Sequence, residues 1–195
     1  MTFLFFSIHF FDINDTPIIG IPDEIWDQAD EIKDVPADGN CGYYSIQLGL
    51  SNNGISYSKN INKFRRTIYN HFARTNMNKF YPESRSVKKQ IIQQDIWRPN
   101  EDFTHGCLQN YWLDTNYIMP IISHMFNVNC VVYRISNVDP CTQASIKENN
   151  TIKWRYQQHY KTLNEICNGS TYTKTIVLLH VNGNHYIYLK PLQTQ

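Results

Sequence analysis

Two apolar runs flank Asn182-Gly183 near the end of this 195-residue chain, and no other feature constrains its fold as strongly. Thr175-Ile176-Val177-Leu178-Leu179-His180-Val181 is rich in β-branched and apolar residues, the composition of a buried strand. Asn-Gly is a strong type I′ hairpin signal, because that turn needs φ > 0 at both central positions. Asn184 through Lys190 then reads as a return strand, ended by Pro191, which cannot donate to a ladder.

Strand side chains alternate, so His185, Ile187 and Leu189 share one face of that return strand while Tyr186 and Tyr188 share the other. His185 therefore opens a rigid element, a good mount for a general base. His180 lies inside an apolar strand and reads as structural.

A candidate nucleophile stands far upstream. Val35-Pro36-Ala37-Asp38-Gly39-Asn40 is rich in turn residues, and Tyr43 to Leu50 reads as helix. Asn40 is an N-cap candidate, which puts Cys41 in the first helical turn. Unpaired N–H groups and the helix dipole there favour a thiolate, the form in which cysteine attacks. Gly39 lets the backbone approach closely or adopt φ > 0. The amides of Gly39, Asn40 and Cys41 could then face a developing oxyanion. Asp38 is expected to shape this loop, and it joins Cys41 and His185 in the catalytic set.

The remainder reads as α/β or α+β. Ile61, Phe64, Ile68 and Phe72 recur at near-helical spacing and define an amphipathic helix over 61–75. Ile91, Ile92, Asp95 and Ile96 suggest another, closed by Arg98-Pro99, with a loop over 98–110. A helix-like run reaches Phe126 and is interrupted by Pro120. Either Asp114 caps a helix that kinks at Pro120, or the helix starts near Met119. Val128–Ile135 and Lys153–Tyr160 read as strands, with a turn from Asn137 to Gln143 between them.

Composition narrows the function classes. Lys plus Arg number 18 against 17 Asp plus Glu, a net charge of +1, so the basic footprint of a nucleic-acid binder is missing. The pairs Arg65-Arg66 and Lys88-Lys89 read as solvated helix faces. Five cysteines, odd in number and without a CxxC spacing, argue for a reducing compartment and against a disulfide framework. Cys107, Cys130, Cys141 and Cys167 have no metal-ligand spacing to one another or to His105, His124 or His159, so neither metal nor cofactor is expected. Met1 to Phe11 is apolar but too short to span a bilayer and lacks a basic leader, so it is expected to add a strand or a docking segment.

Three blocks resemble the ovarian-tumour (OTU) cysteine proteases, most of which remove ubiquitin from proteins. Asp38-Gly39-Asn40-Cys41 matches the nucleophile motif, and Asn184-His185-Tyr186 matches the histidine motif. Tyr111-Trp112-Leu113-Asp114, a helix and Asn127-Val128-Asn129-Cys130-Val131-Val132-Tyr133 form the third block. The resemblance implies a papain-like OTU fold with a small central sheet packed between helices. It implies a catalytic domain over 33–192, preceded by an extension over 1–32. It implies a cysteine-type deubiquitinase, a cytoplasmic monomer with ubiquitin, polyubiquitin or ubiquitin-like modifiers as partners, and neither nucleic acid nor membrane. Trp112, Asp114 and Tyr186 are implied as walls of a cleft for the substrate tail, with Asp114 either pairing a tail arginine or capping its helix.

The chain departs from that pattern in two places. Many OTU enzymes carry Asp or Asn two residues after the histidine to orient the imidazole, and here that residue is Ile187. A third member comes from elsewhere, with Asn182, Asn184 and Asp34 the candidates by sequence proximity, or is absent, leaving a dyad. Leu113-Asp114 stands where the family often has a glycine pair. A viral-type polyprotein endopeptidase and an inactive ubiquitin-binding module are the alternative functions.

Overall fold

The computed structural model describes residues 29–75, 96–135, 154–160, 174–181 and 184–191. The region around Ile91 and Ile92, Lys88-Lys89, the turn from Asn137 to Gln143, Asn182-Gly183 and Met1–Phe11 lie outside the described residues.

Among the described residues five strands form one mixed sheet: β1 (Ala29–Lys33), β2 (Asn129–Ile135), β3 (Trp154–Tyr160), β4 (Thr175–Val181) and β5 (His185–Pro191). Their order is β1-β5-β4-β2-β3. β2 and β4 run parallel, and every other neighbouring pair is antiparallel. Val181 pairs with His185 rather than with Asn184, so the return strand starts one residue later than expected. β1 spans the expected boundary at residue 33 and forms the edge beside β5.

Among the described residues three α-helices accompany the sheet: α1 (Cys41–Asn52), α2 (Ile61–Arg74) and α3 (Thr115–Phe126). The α/β class expected from the sequence is the one observed. Asn60 caps α2 through its side chain, which accepts the Lys63 N–H at 2.9 Å, while His71 and Arg74 lie in its last turn, favourable to the dipole. Asp114 immediately precedes α3, its carbonyl accepting the N–H groups of Tyr117 and Ile118, and the helix runs through Pro120. Of the two starts considered for this helix, the earlier one holds. Asn127 ends it at φ 57, the left-handed conformation that short polar side chains tolerate.

The period-2 pattern of the strands divides the apolar residues between two faces. Cys130, Val132, Ile176, Leu178 and Tyr186 join Ile46, Leu50, Phe64, Ile68, Met119 and Ile122 of the three helices in one core. Val177, Leu179, Val181, Ile187 and Leu189 form a second cluster on the opposite face. α1 sits directly on β4: a Cβ on Gly49 would meet Ile176 at 2.6 Å. Nearer its start, the Ser45 hydroxyl of α1 donates to the Tyr186 carbonyl of β5 at 3.2 Å, the arrangement that brings Cys41 to the beginning of β5.

Candidate active site

Cys41 is the first residue of α1 and His185 the first of β5, and both are buried. The Cys41 thiol lies beside the His185 imidazole, close enough to raise its pKa, and the Tyr186 N–H points to Cys41 Sγ at 3.5 Å. On its other side, His185 Nε2 lies 2.7 Å from Asp34 Oδ1. With Nε2 committed to Asp34, Nδ1 is the nitrogen left for the thiol. Asp34 is itself fixed by its Oδ1, which accepts the Val35 N–H at 2.7 Å.

Sheet register explains why Asp34 reaches the histidine. β1 and β5 pair Lys33 with Tyr188 and Ile32 with Leu189. One step further, Asp34 falls beside Ile187, on the face that also carries His185. It is a diagonal cross-strand neighbour of His185, within reach of a short side chain. The neighbouring strand therefore supplies a carboxylate on the face where Ile187 offers none.

Burial by itself would lower the pKa of His185. The hydrogen bonds and negative charges of Cys41 and Asp34 overcome this and raise it from 6.5 to about 9. The imidazolium is thus stabilised between two acidic partners, as a proton donor to a leaving amine requires.

The loop before Cys41 is tied from several directions. Asp38 Oδ1 accepts the Asn40 N–H at 2.8 Å and Oδ2 accepts the Tyr44 hydroxyl at 3.0 Å, while the Asp38 carbonyl takes the Cys107 N–H at 2.8 Å. Asp38 shapes the loop, and the carboxylate on His185 is that of Asp34. Gly39 has φ +86, and a Cβ there would lie 2.5 Å from the Cys107 carbonyl oxygen. Asn40 occupies the N-cap position, but its side chain does not cap α1. It is drawn away instead, accepting from Arg65 and donating to the Phe103 carbonyl at 2.9 Å.

The chain is similar in structure to OTU domains. The Hazara virus OTU bound to ubiquitin aligns with a TM-score of 0.47 and 16% identity, over 87% of this chain and 86% of that one. The OTUD1 OTU domain aligns with a TM-score of 0.43 and 14% identity, over 80% of this chain and 83% of that one. No family model matches the sequence. No curated protein matches it either.

The other expected site residues are distributed around this centre. Asn184 is exposed, and its backbone N–H donates to Val181. Asn182 lies outside the described residues. The Trp112 indole lies against the Gly39 backbone, its Nε1 2.8 Å from where a Cβ on Gly39 would stand. Asp114 heads α3 through its carbonyl. The Tyr186 ring is buried and stacked on His180 at 4.4 Å, with its hydroxyl donating to the Leu113 carbonyl at 3.4 Å. Tyr186 therefore meets the thiol through its backbone.

One expectation is overturned. Arg65 is not on a solvated helix face; it is fully buried. Its spacing carried the signal: Arg65 follows Ile61 by four positions and precedes Ile68 by three, and both are in the core. The charge of Arg65 obscured a position that belongs to the apolar stripe. Phe103, on the loop that closes over Gly39 and Asn40, carries no signal in the sequence, since loop sequence has no period.

Proposed function

We propose that this protein is a thiol hydrolase of the OTU type that cleaves the bond joining the C-terminus of ubiquitin to a lysine amine. The observation that carries the reading is the grouping of Cys41, His185 and Asp34, with the thiol at a helix start and the imidazole placed between it and the bonded Asp34 carboxylate. Ubiquitin as the substrate rests on the three motif blocks, which resemble the OTU proteases over most of the chain.

In this reading the Cys41 thiolate adds to the carbonyl carbon at the ubiquitin terminus, and the carbonyl oxygen takes the negative charge. Backbone amides at the start of α1 stabilise that charge. His185, protonated and held by Asp34, gives its proton to the departing lysine amine as the C–N bond breaks. A thioester is left on Cys41. His185 then takes a proton from water, hydroxide adds to the thioester carbon, and the ubiquitin carboxylate leaves as the thiolate is regenerated.

The test is reaction with ubiquitin carrying a C-terminal thiol-reactive warhead, read by intact mass for the parent and Cys41→Ala. One covalent ubiquitin on the parent and none on the variant is the expected result. A folded parent that forms no adduct would defeat the reading. Cleavage of a polyprotein segment instead would identify an endopeptidase, and binding without an adduct would identify a ubiquitin-binding module.

A further inference from the structure

Arg65 has no exposed surface, and it is a large side chain to bury completely. A guanidinium keeps its charge in a protein, and a buried cation is costly unless hydrogen bonds replace its water. Among the described residues no carboxylate pairs with it. Its Nε donates to the Ile96 carbonyl at 2.9 Å, Nη1 to Asn40 Oδ1 at 2.8 Å and Nη2 to the Tyr111 carbonyl at 2.6 Å. The Tyr43 and Phe103 rings cover its two faces at 4.0 Å and 4.1 Å. One planar group thus ties the residue before Cys41 to the 96–111 loop.

The consequence falls on the backbone of Asn40. Asparagine is among the residues most favoured as an N-cap, where an extended backbone lets its side chain close on the helix amides. Here Asn40 has φ −95 and ψ 3, outside that extended region, and its side chain is held at both ends away from α1. The ψ angle of Asn40 orients the Asn40–Cys41 peptide. Among the described residues no acceptor takes the Cys41 N–H, one of the orphan donors of a helix start.

We propose that Arg65 is a positioning residue: by holding the Asn40 side chain, it keeps the Asn40–Cys41 peptide turned so that the Cys41 N–H faces the substrate oxyanion. This rests on the thiol-hydrolase reading above. Without the tether, Asn40 relaxes toward an ordinary cap, and the peptide turns with it.

Asn40→Ala and Asn40→Ser separate this role from simple loop packing. Both lose the Arg65 contact, and only serine has a side chain that favours closing on the helix amides. The measurements are kcat and KM on ubiquitin with a C-terminal fluorogenic amide, Cys41 alkylation by iodoacetamide, and the Cys41 amide proton by NMR. Asn40→Ser is expected to lose about 100-fold in kcat, the scale of one oxyanion donor, and Asn40→Ala about tenfold, with KM and alkylation within about threefold of the parent. Arg65→Met, where it folds, is expected to resemble Asn40→Ser and to add little to it. Equal losses for serine and alanine, or kcat and alkylation falling together, would overturn the proposal. If the parent neither hydrolyses ubiquitin substrates nor forms the adduct, the function reading fails separately, and NMR decides the tether. A Cys41 amide displaced in Asn40→Ser but near the parent in Asn40→Ala supports it; coincident positions in the two variants sink it.

Discussion

His185 Nε2 and Asp34 Oδ1 stand 2.7 Å apart although 151 positions separate them in the chain. The contact exists because β1 and β5 are neighbours with a defined register, and together with the Cys41 thiol it raises the pKa of the imidazole against the effect of burial.

The first prediction concerns this pair. His185 titrates at about 9 in the folded protein, against 6.5 for the free side chain. Its folded pKa is raised, so the stability it contributes is complete below about pH 6.5 and is lost as pH rises through about 9. Asp34→Asn is expected to bring the His185 titration down, to move the alkaline limb of kcat/KM to lower pH, and to reduce kcat on the order of 100-fold. An NMR titration of His185 and a pH–rate profile check both statements. An unmoved alkaline limb would remove Asp34 from the mechanism.

Ile187 gives a second. It is fully buried in the cluster of Val177, Leu179, Val181 and Leu189. Ile187→Asn places an amide among apolar side chains and is expected to lower stability by roughly 3 kcal/mol. Added to Asp34→Asn, it is not expected to restore activity. Urea denaturation and turnover of the two variants and their combination provide the check.

Gly39 is constrained both by conformation and by space. Its φ of +86 strains any side chain, and a Cβ would meet the Cys107 carbonyl oxygen at 2.5 Å and Trp112 Nε1 at 2.8 Å. Gly39→Ala is expected to cost roughly 3 kcal/mol of stability, because a backbone carbonyl cannot step aside as a flexible side chain would. Thermal melting of the variant beside Cys41→Ala, which is expected to stay folded, measures this.

His71 and His124 join α2 to α3 through ring nitrogens 2.8 Å apart. Burial lowers the pKa of both, and the charge of His124 lowers that of His71 further. Their folded pKa values lie below 6.5, so the unfolded chain takes up protons first as pH falls. The stability carried by the neutral pair is therefore present above about pH 6.5 and lost on acidification. His124→Gln is expected to flatten the acid side of the stability profile, seen as a smaller loss of Tm between neutral and mildly acidic buffer. An equal loss in parent and variant would exclude the pair as its source.

The sequence by itself determined the local elements. Thr175–Val181 forms the strand its β-branched run predicts, and the 61–75 stripe forms α2 within one residue. Cys41 falls at a helix start and His185 at a strand start, because turn residues and hydrophobic periods are written in contiguous residues. The partner of His185 was legible only as a choice among Asn182, Asn184 and Asp34. The register between β1 and β5 singled out Asp34, and register depends on two segments far apart in the chain. The fate of Arg65 also belonged to the tertiary structure. Charge ordinarily means solvent, and only the packed fold assembles four neutral acceptors and two aromatic rings around one guanidinium. Neighbours in sequence set the backbone's local preference; neighbours in space decide which polar groups are satisfied, and with them the protonation and orientation of the site.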